Sequence, residues 1–165
     1  MNRSLRIMLT SVAALLVAAT LTASAFAAID AFIKFDATGP NNDGSLSTNF
    51  KAAGLGSKQT ISLTASADAT AVYICVNKSG NFPSDPKKQV LEGPVSASEQ
   101  LTSDKNGQIT DSLTLSPPTT TLNCPSGQKP VLAFVSYENV GIGNTGDEPI
   151  EVLSFNFTMT YIDYQ

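Results

Sequence analysis

The stretch IEVLSFNFTMTYIDY, residues 150–164, decides the fold class of this chain, because apolar and polar residues alternate along it. The apolar face consists of Leu153, Phe155, Phe157, Met159 and Tyr161. A period of two residues is typical of a β-strand with one buried face. We therefore expect one long strand here, with these five apolar side chains on one face.

Six further segments either alternate in the same way or are apolar on both faces, as central strands are. They are residues 29–36, 59–66, 70–78, 94–103, 108–116 and 131–140. Asn106-Gly107 predicts a tight hairpin turn between the fourth and fifth of these segments, since both residues tolerate positive φ. Seven short strands with Gly- and Pro-rich turns predict an all-β fold, an immunoglobulin-like β-sandwich.

The first 27 residues have the composition of a secretory signal peptide. Arg3 and Arg6 precede an apolar stretch over residues 7–21, and small residues at Ala23-Ser24-Ala25 or Ala25-Phe26-Ala27 supply a cleavage site. The alternative is a membrane anchor, but the stretch is shorter than the roughly 20 residues that span a bilayer. We expect cleavage, secretion to the cell surface or beyond, no membrane insertion afterwards, and a single domain over residues 28–165.

The charge of the chain argues against nucleic acid as a partner. Its 165 residues carry 10 basic and 14 acidic side chains, a net charge of −4, and both arginines lie in the signal segment. Without arginine the remaining chain lacks the guanidinium group, which binds phosphate through two hydrogen bonds at once. It also has no His and no Trp. A nucleophilic enzyme would lack its usual base, so we expect neither an enzyme nor a cofactor.

The two cysteines, Cys75 and Cys124, are an even number in a chain predicted to be secreted. Such a pair is typical of a disulfide. The bridge would close a loop of about 49 residues and stabilise the fold by about 4 kcal/mol on the chain-entropy model. Two buried free thiols, or one reactive thiol, are the alternatives.

Four segments in the middle of the chain carry a resemblance to known proteins. They are YICVNKSG (73–80), GPVSAS (93–98), NGQITDSLTLSPP (106–118) and NCPSGQKPVLAFVSYENV (123–140). In these segments the chain resembles a group of uncharacterised secreted bacterial proteins, many of them from actinobacteria. The resemblance implies secretion, one β domain and a Cys75–Cys124 pair, and it transfers no catalytic or binding residue.

The two ends of the predicted domain carry a second likeness. AIDAFIKFDATG (28–39) and FNFTMTYIDYQ (155–165) resemble the terminal strands of chaperone–usher pilin subunits, including a tyrosine, Tyr164, just before the last residue. The chain departs from those subunits because its first cysteine is far from the predicted N-terminus. The likeness implies that residues 29–36 are donated to a neighbouring subunit. The alternative is that they form the first strand of their own sandwich.

Aromatic residues are the candidates for a sugar-binding surface. Phe82 lies in the loop GNFPSDP, where no strand accounts for a large ring, and Tyr137 is a second candidate, with Tyr73 and Tyr164 as further ones. The alternative for Phe82 is a ring tucked over the core as a loop anchor.

Acidic residues supply two weaker candidates for a functional site. Asp147, Glu148 and Glu151 are grouped in NTGDEPIE (144–151), which predicts either a weak calcium site or a solvated acidic loop. Asp111 falls on an otherwise apolar strand face, where a sheet edge or a bulge would explain it. GPNNDGSLS (39–47) lacks the ligands of a calcium-binding loop, so we interpret it as a plain turn.

By exclusion, the sequence favours a secreted, non-catalytic extracellular or cell-envelope protein that acts by binding or assembly. Its partner would be an extracellular protein, a glycan or further copies of itself. A carbohydrate-binding module and a pilus-like subunit that assembles by strand donation are the two alternatives.

Overall fold

The structure is a computed structural model, and it describes residues 32–80, 83 and 86–163. The predicted signal peptide (1–27), Ile29, Phe82 and Tyr164 lie outside the described residues. No helix occurs among the described residues, and their strands confirm the all-β prediction.

Eight strands form two antiparallel sheets. The strands are β1 (Phe32–Thr38), β2 (Leu46–Ala53), β3 (Thr60–Asn77), β4 (Lys88–Thr102), β5 (Gln108–Leu115), β6 (Gln128–Asn144), β7 (Glu151–Val152) and β8 (Phe157–Thr160). The smaller sheet has the order β1-β2-β5, and the larger has β4-β3-β6, with β7 and β8 both paired to the far edge of β6. This order is that of an immunoglobulin-like sandwich in which β7 and β8 are two parts of one interrupted strand.

The core lies between the sheets because each strand turns its alternate apolar residues inward. Leu46 and Phe50 from β2, Leu63 from β3, and Val135 and Tyr137 from β6 are all at most 3% exposed. β3 lies between β4 and β6 and is apolar on both faces in its second half, as predicted for residues 70–78. Its Val72, Ile74 and Val76 belong to a second, smaller apolar cluster.

Three strand predictions need correction. Residues 59–66 and 70–78 are one strand, β3, because Ala67 and Ala69 continue the buried face and exposed Asp68 continues the other. Residues 46–53 form β2, a strand that is not among the seven predicted segments. The Asn106-Gly107 turn exists, with φ of 73° at Gly107, but it joins strands of different sheets and is not a hairpin.

The last strand is interrupted, which the alternation did not predict. Asn139 in β6 has a left-handed backbone (φ 51°), and the register against β3 shifts between Ser66 and Asp68. This β-bulge places one extra residue in β6. On its other side β6 pairs with β7 and β8 but not with the bend between them, and Phe155 in that bend is 58% exposed instead of buried.

The predicted disulfide is present between Cys75 and Cys124, whose Cα atoms are 5.6 Å apart. It fastens residues 116–127, which connect β5 to β6, to the third strand. Two hydrogen bonds assist it: the Tyr73 hydroxyl donates to the Pro118 carbonyl (2.9 Å), and the Lys87 ammonium donates to the Asn123 carbonyl (2.9 Å). The bridge thus holds a long connection against the larger sheet.

Candidate binding surface

The two sheets stack so that their edges form two sides of the molecule. β5 packs against β4 and β3, which sets β1, at the other edge of the smaller sheet, on the side of β7 and β8. A hydrogen bond from the Tyr161 hydroxyl to the Asn41 carbonyl joins the two sheets on this second side. Each side therefore presents the edge strands of both sheets.

The β4/β5 side carries features that discourage pairing with another strand. Asp111 stands on β5 opposite the buried Phe50, and the edge position lets its carboxylate reach solvent. On β4, Pro94 lacks a backbone donor, and Glu92 and Glu99 add charge. Inward-facing charges, proline and charged edge residues are the usual protection of exposed sheet edges.

Within residues 32–38 the β1 edge has neither a proline nor an inward-facing charge, and its charged side chains lie on the outer face. Its inward residues Ile33 and Phe35 are buried apolar side chains, and its outward residues Lys34 and Asp36 are exposed. Among the described residues, β2 is the single strand paired with β1. The outer backbone edge of β1 is thus a template for a further strand.

Exposed large apolar side chains concentrate on the same side. Ile150, Val152 and Phe155 are 44%, 48% and 58% exposed, and the Phe155 ring leans on Phe157 with their centroids 5.0 Å apart. We call the β1 edge together with residues 150–156 the open side. The other exposed large apolar side chain of the described chain, Val90, lies on β4 at the opposite side and is 50% exposed.

Polar side chains border the open side on the outer face of the larger sheet. The Asn139 amide donates to the Asp68 carboxylate (2.8 Å), and the Asn156 amide donates to the Glu138 carboxylate (3.2 Å). All four residues are exposed. An apolar centre with a polar border is the usual composition of a protein interface.

Tyr73 and Tyr137, the two candidate tyrosines for sugar binding that the structure describes, do not lie on the open side. Tyr137 is fully buried, and its hydroxyl donates to the Gly44 carbonyl (2.7 Å), so its ring cannot stack on a ligand. Burial, with smaller contributions from Tyr161, Tyr73 and Asp43, raises the pKa of Tyr137 well above its usual range. Tyr73 is half-buried, and burial raises its pKa too.

The acidic candidates do not form a metal centre in the described part of the chain. Asp147 and Glu148 are exposed before β7, Glu151 is exposed within it, and no group of three His, Cys, Asp or Glu side chains is placed to hold a metal among the described residues. Asp43, in the predicted plain turn, accepts hydrogen bonds from the Ser45 hydroxyl (2.6 Å) and amide (3.0 Å), which lower the pKa of its carboxyl.

Phe155 is the surface residue that sequence reasoning missed. The alternation of residues 150–164 placed it on one face with Phe157 and Met159. It lies in the break between β7 and β8, where the last strand from Val152 to Phe157 is one residue longer than the facing β6 segment from Gly141 to Tyr137, and the alternation runs through this break unchanged.

No family model matches the chain, and no curated protein matches it. None of the described residues belongs to a helix long and apolar enough to cross a membrane.

Proposed function

We propose that this chain is a secreted, non-catalytic extracellular or cell-envelope module that acts by binding another protein chain through its open side. The observation that carries the proposal is the exposure of Phe155, with Ile150 and Val152, on the same side of the molecule as the outer edge of β1. The disulfide is consistent with an oxidising compartment outside the cytosol. The absence of histidine from the sequence supports a role without nucleophilic catalysis.

Burial of apolar surface and strand pairing both favour a contact with another chain at the open side. Covering the exposed half of three large apolar side chains stabilises a complex by about 1 kcal/mol for each side chain. Exposed aromatic residues at the centre of a contact contribute more than their neighbours. The edge of β1 can add backbone hydrogen bonds to a partner strand. A side that offers both apolar surface and backbone hydrogen bonds is better suited to binding than the β4/β5 side, whose edges carry Pro94 and the inward-facing Asp111.

Site-specific photo-crosslinking in the producing cells tests the proposal. Phe155 is replaced by p-benzoyl-L-phenylalanine, and the matched control carries the same photoreactive residue at Val90, which has similar exposure on the opposite side. We expect a protein adduct from position 155 and a much weaker one from position 90. Equal adducts, or none from position 155, would contradict the proposal, and the adduct mass identifies the partner.

A carbohydrate-binding module is the second candidate, favoured by one observation. The exposed Phe155 ring lies next in the chain to Asn156, which with Glu138, Asn139 and Asp68 offers amides and carboxylates to sugar hydroxyls. A glycan array with the wild type, Phe155→Ala and the control Val90→Ala tests it. Binding that only Phe155→Ala removes would support this candidate, and no binding by the wild type would reject it.

A further inference from the structure

We infer that the partner at the open side is a second copy of this chain, joined by antiparallel pairing of β1 with β1 of the other copy. The inference rests on the proposed function, since it names the partner of the open side. It would extend the three-stranded sheet into a continuous six-stranded sheet across two molecules.

The charges of β1 select one register for this pairing. In an antiparallel pair of two β1 strands, the core-facing side chains of both copies must lie on the same face of the joined sheet. A slip by one residue would turn the buried side chains of one copy to solvent. The symmetric registers near the middle of β1 are therefore centred on Lys34, Phe35 or Asp36. Centring on Lys34 or Asp36 would place like charges directly opposite each other, which is unfavourable.

The register centred on Phe35 makes every facing pair compatible. Lys34 of each copy faces Asp36 of the other, so the interface contains two opposite-charge pairs on the solvent face. Ile33 faces Ala37, and Phe35 faces Phe35, on the core face. The opposite-charge pairs and the aromatic pair are of kinds that stabilise antiparallel strands.

The neighbouring strand gives a second reason for the Lys34–Asp36 contact. Within its own sheet Lys34 is registered directly opposite Lys51 of β2. Two ammonium groups side by side on one sheet face repel each other. A carboxylate arriving on the free side of Lys34 offsets this repulsion, and Asp36 of a second copy supplies it in the register centred on Phe35.

Charge reversal in the purified mature protein, followed by sedimentation velocity, tests the inference. The wild type should be a dimer. Lys34→Asp or Asp36→Lys alone should raise the dissociation constant at least about tenfold, because two attractive pairs become two repulsive ones. The double variant Lys34→Asp/Asp36→Lys should restore the dimer. The control Lys129→Asp, which changes an exposed lysine on β6 of the larger sheet, should keep it.

Cysteine pairing checks the register independently. The described residues contain no free cysteine. After mixing and mild oxidation, Lys34→Cys and Asp36→Cys variants should form a covalent heterodimer, and each variant alone should form far less covalent dimer. The same oxidation of a Lys34→Cys and Lys51→Cys mixture is the control and should give no comparable product.

Two results would overturn the inference: a wild type that stays monomeric at its highest soluble concentration, or a double variant that fails to recover the dimer. Neither result would contradict the proposed function, which requires only that the open side binds a protein chain. If photo-crosslinking at position 155 then gave an adduct with a different protein, the open side would still be a binding surface with another partner.

Discussion

Tyr137 connects the core to the turn between β1 and β2. It has the largest side chain among the fully buried residues, and its hydroxyl donates to the buried Gly44 carbonyl. Replacing it with phenylalanine keeps the ring but leaves that carbonyl without its donor. We expect Tyr137→Phe to lower the free energy of unfolding by about 1–3 kcal/mol in urea denaturation.

Tyr73→Phe is the matched comparison, because its hydroxyl also donates to a backbone carbonyl, that of Pro118, but from a half-buried position. Water can replace the lost donor there, so we expect a smaller change, about 0.5–1 kcal/mol. A larger effect at Tyr73 than at Tyr137 would contradict the role given to the buried hydroxyl.

The raised pKa of Tyr137 predicts that stability falls at alkaline pH. In the unfolded chain a tyrosine ionises near pH 10. The folded state holds the hydroxyl neutral by burial, so its pKa is higher there. This contribution to stability is complete below about pH 10 and is lost as the pH rises through the folded pKa. Urea denaturation between pH 8 and pH 12 should show the decline.

The Tyr137→Phe variant isolates the source of that decline. It should lose less stability than the wild type over the same alkaline range, because it no longer carries the group that must ionise. Part of the decline should remain, since burial also raises the pKa of Tyr73 and Tyr161. Identical pH profiles for variant and wild type would disprove the assignment.

At the scale of the element, the bulge in β6 depends on the left-handed backbone of Asn139. Glycine adopts this conformation freely, whereas a β-branched side chain is strained in it. We expect Asn139→Val to be less stable than Asn139→Gly by about 1–2 kcal/mol in thermal or urea unfolding. Both variants lose the hydrogen bond to Asp68, so that loss does not enter their difference. Equal stability would mean that the backbone conformation does not hold the bulge.

β1 is the element on which strand donation depends. Residues 32–38 pair with β2 of their own chain, and Ile33 and Phe35 belong to the core. We therefore expect deletion of residues 28–36 to unfold the protein, as measured by circular dichroism. A folded, soluble monomer that has lost only its assembly would instead support donation of this strand to a neighbour.

The period-two pattern predicted most strands, because a half-buried strand needs little beyond alternation. It missed β2 because Thr48, a polar residue, occupies a buried position and donates to the Leu113 carbonyl (2.7 Å). It also missed the break between β7 and β8, because the alternation of residues 150–164 continues across it, whereas the segment from Val152 to Phe157 is one residue longer than the β6 segment from Gly141 to Tyr137 that faces it. Phe155 lies in this break, so its exposure, and with it the candidate surface, could not be predicted from the alternation.

At the scale of the whole molecule, the disulfide joins the connection between β5 and β6 to the third strand. Replacing Cys75 and Cys124 together with serine releases the residues 116–127 that it fastens. We expect the free energy of unfolding to fall by about 2–4 kcal/mol, chiefly because the unfolded chain gains freedom. Urea denaturation of the double variant measures the loss, and reduction of the wild type should approach the same value. An unchanged midpoint in both cases would contradict a stabilising role.

The central position of β3 has a consequence for how a newly made chain folds. One neighbour, β4, follows it closely, whereas the other, β6, begins only at Gln128. During synthesis or export from the N-terminal end, the β3–β4 pair can therefore form while β6 has yet to emerge. In that interval an apolar strand has one unpaired edge, and such intermediates aggregate readily. The arrival of residues 128–144 closes this edge, so the rate of chain delivery sets how long the nascent protein is vulnerable.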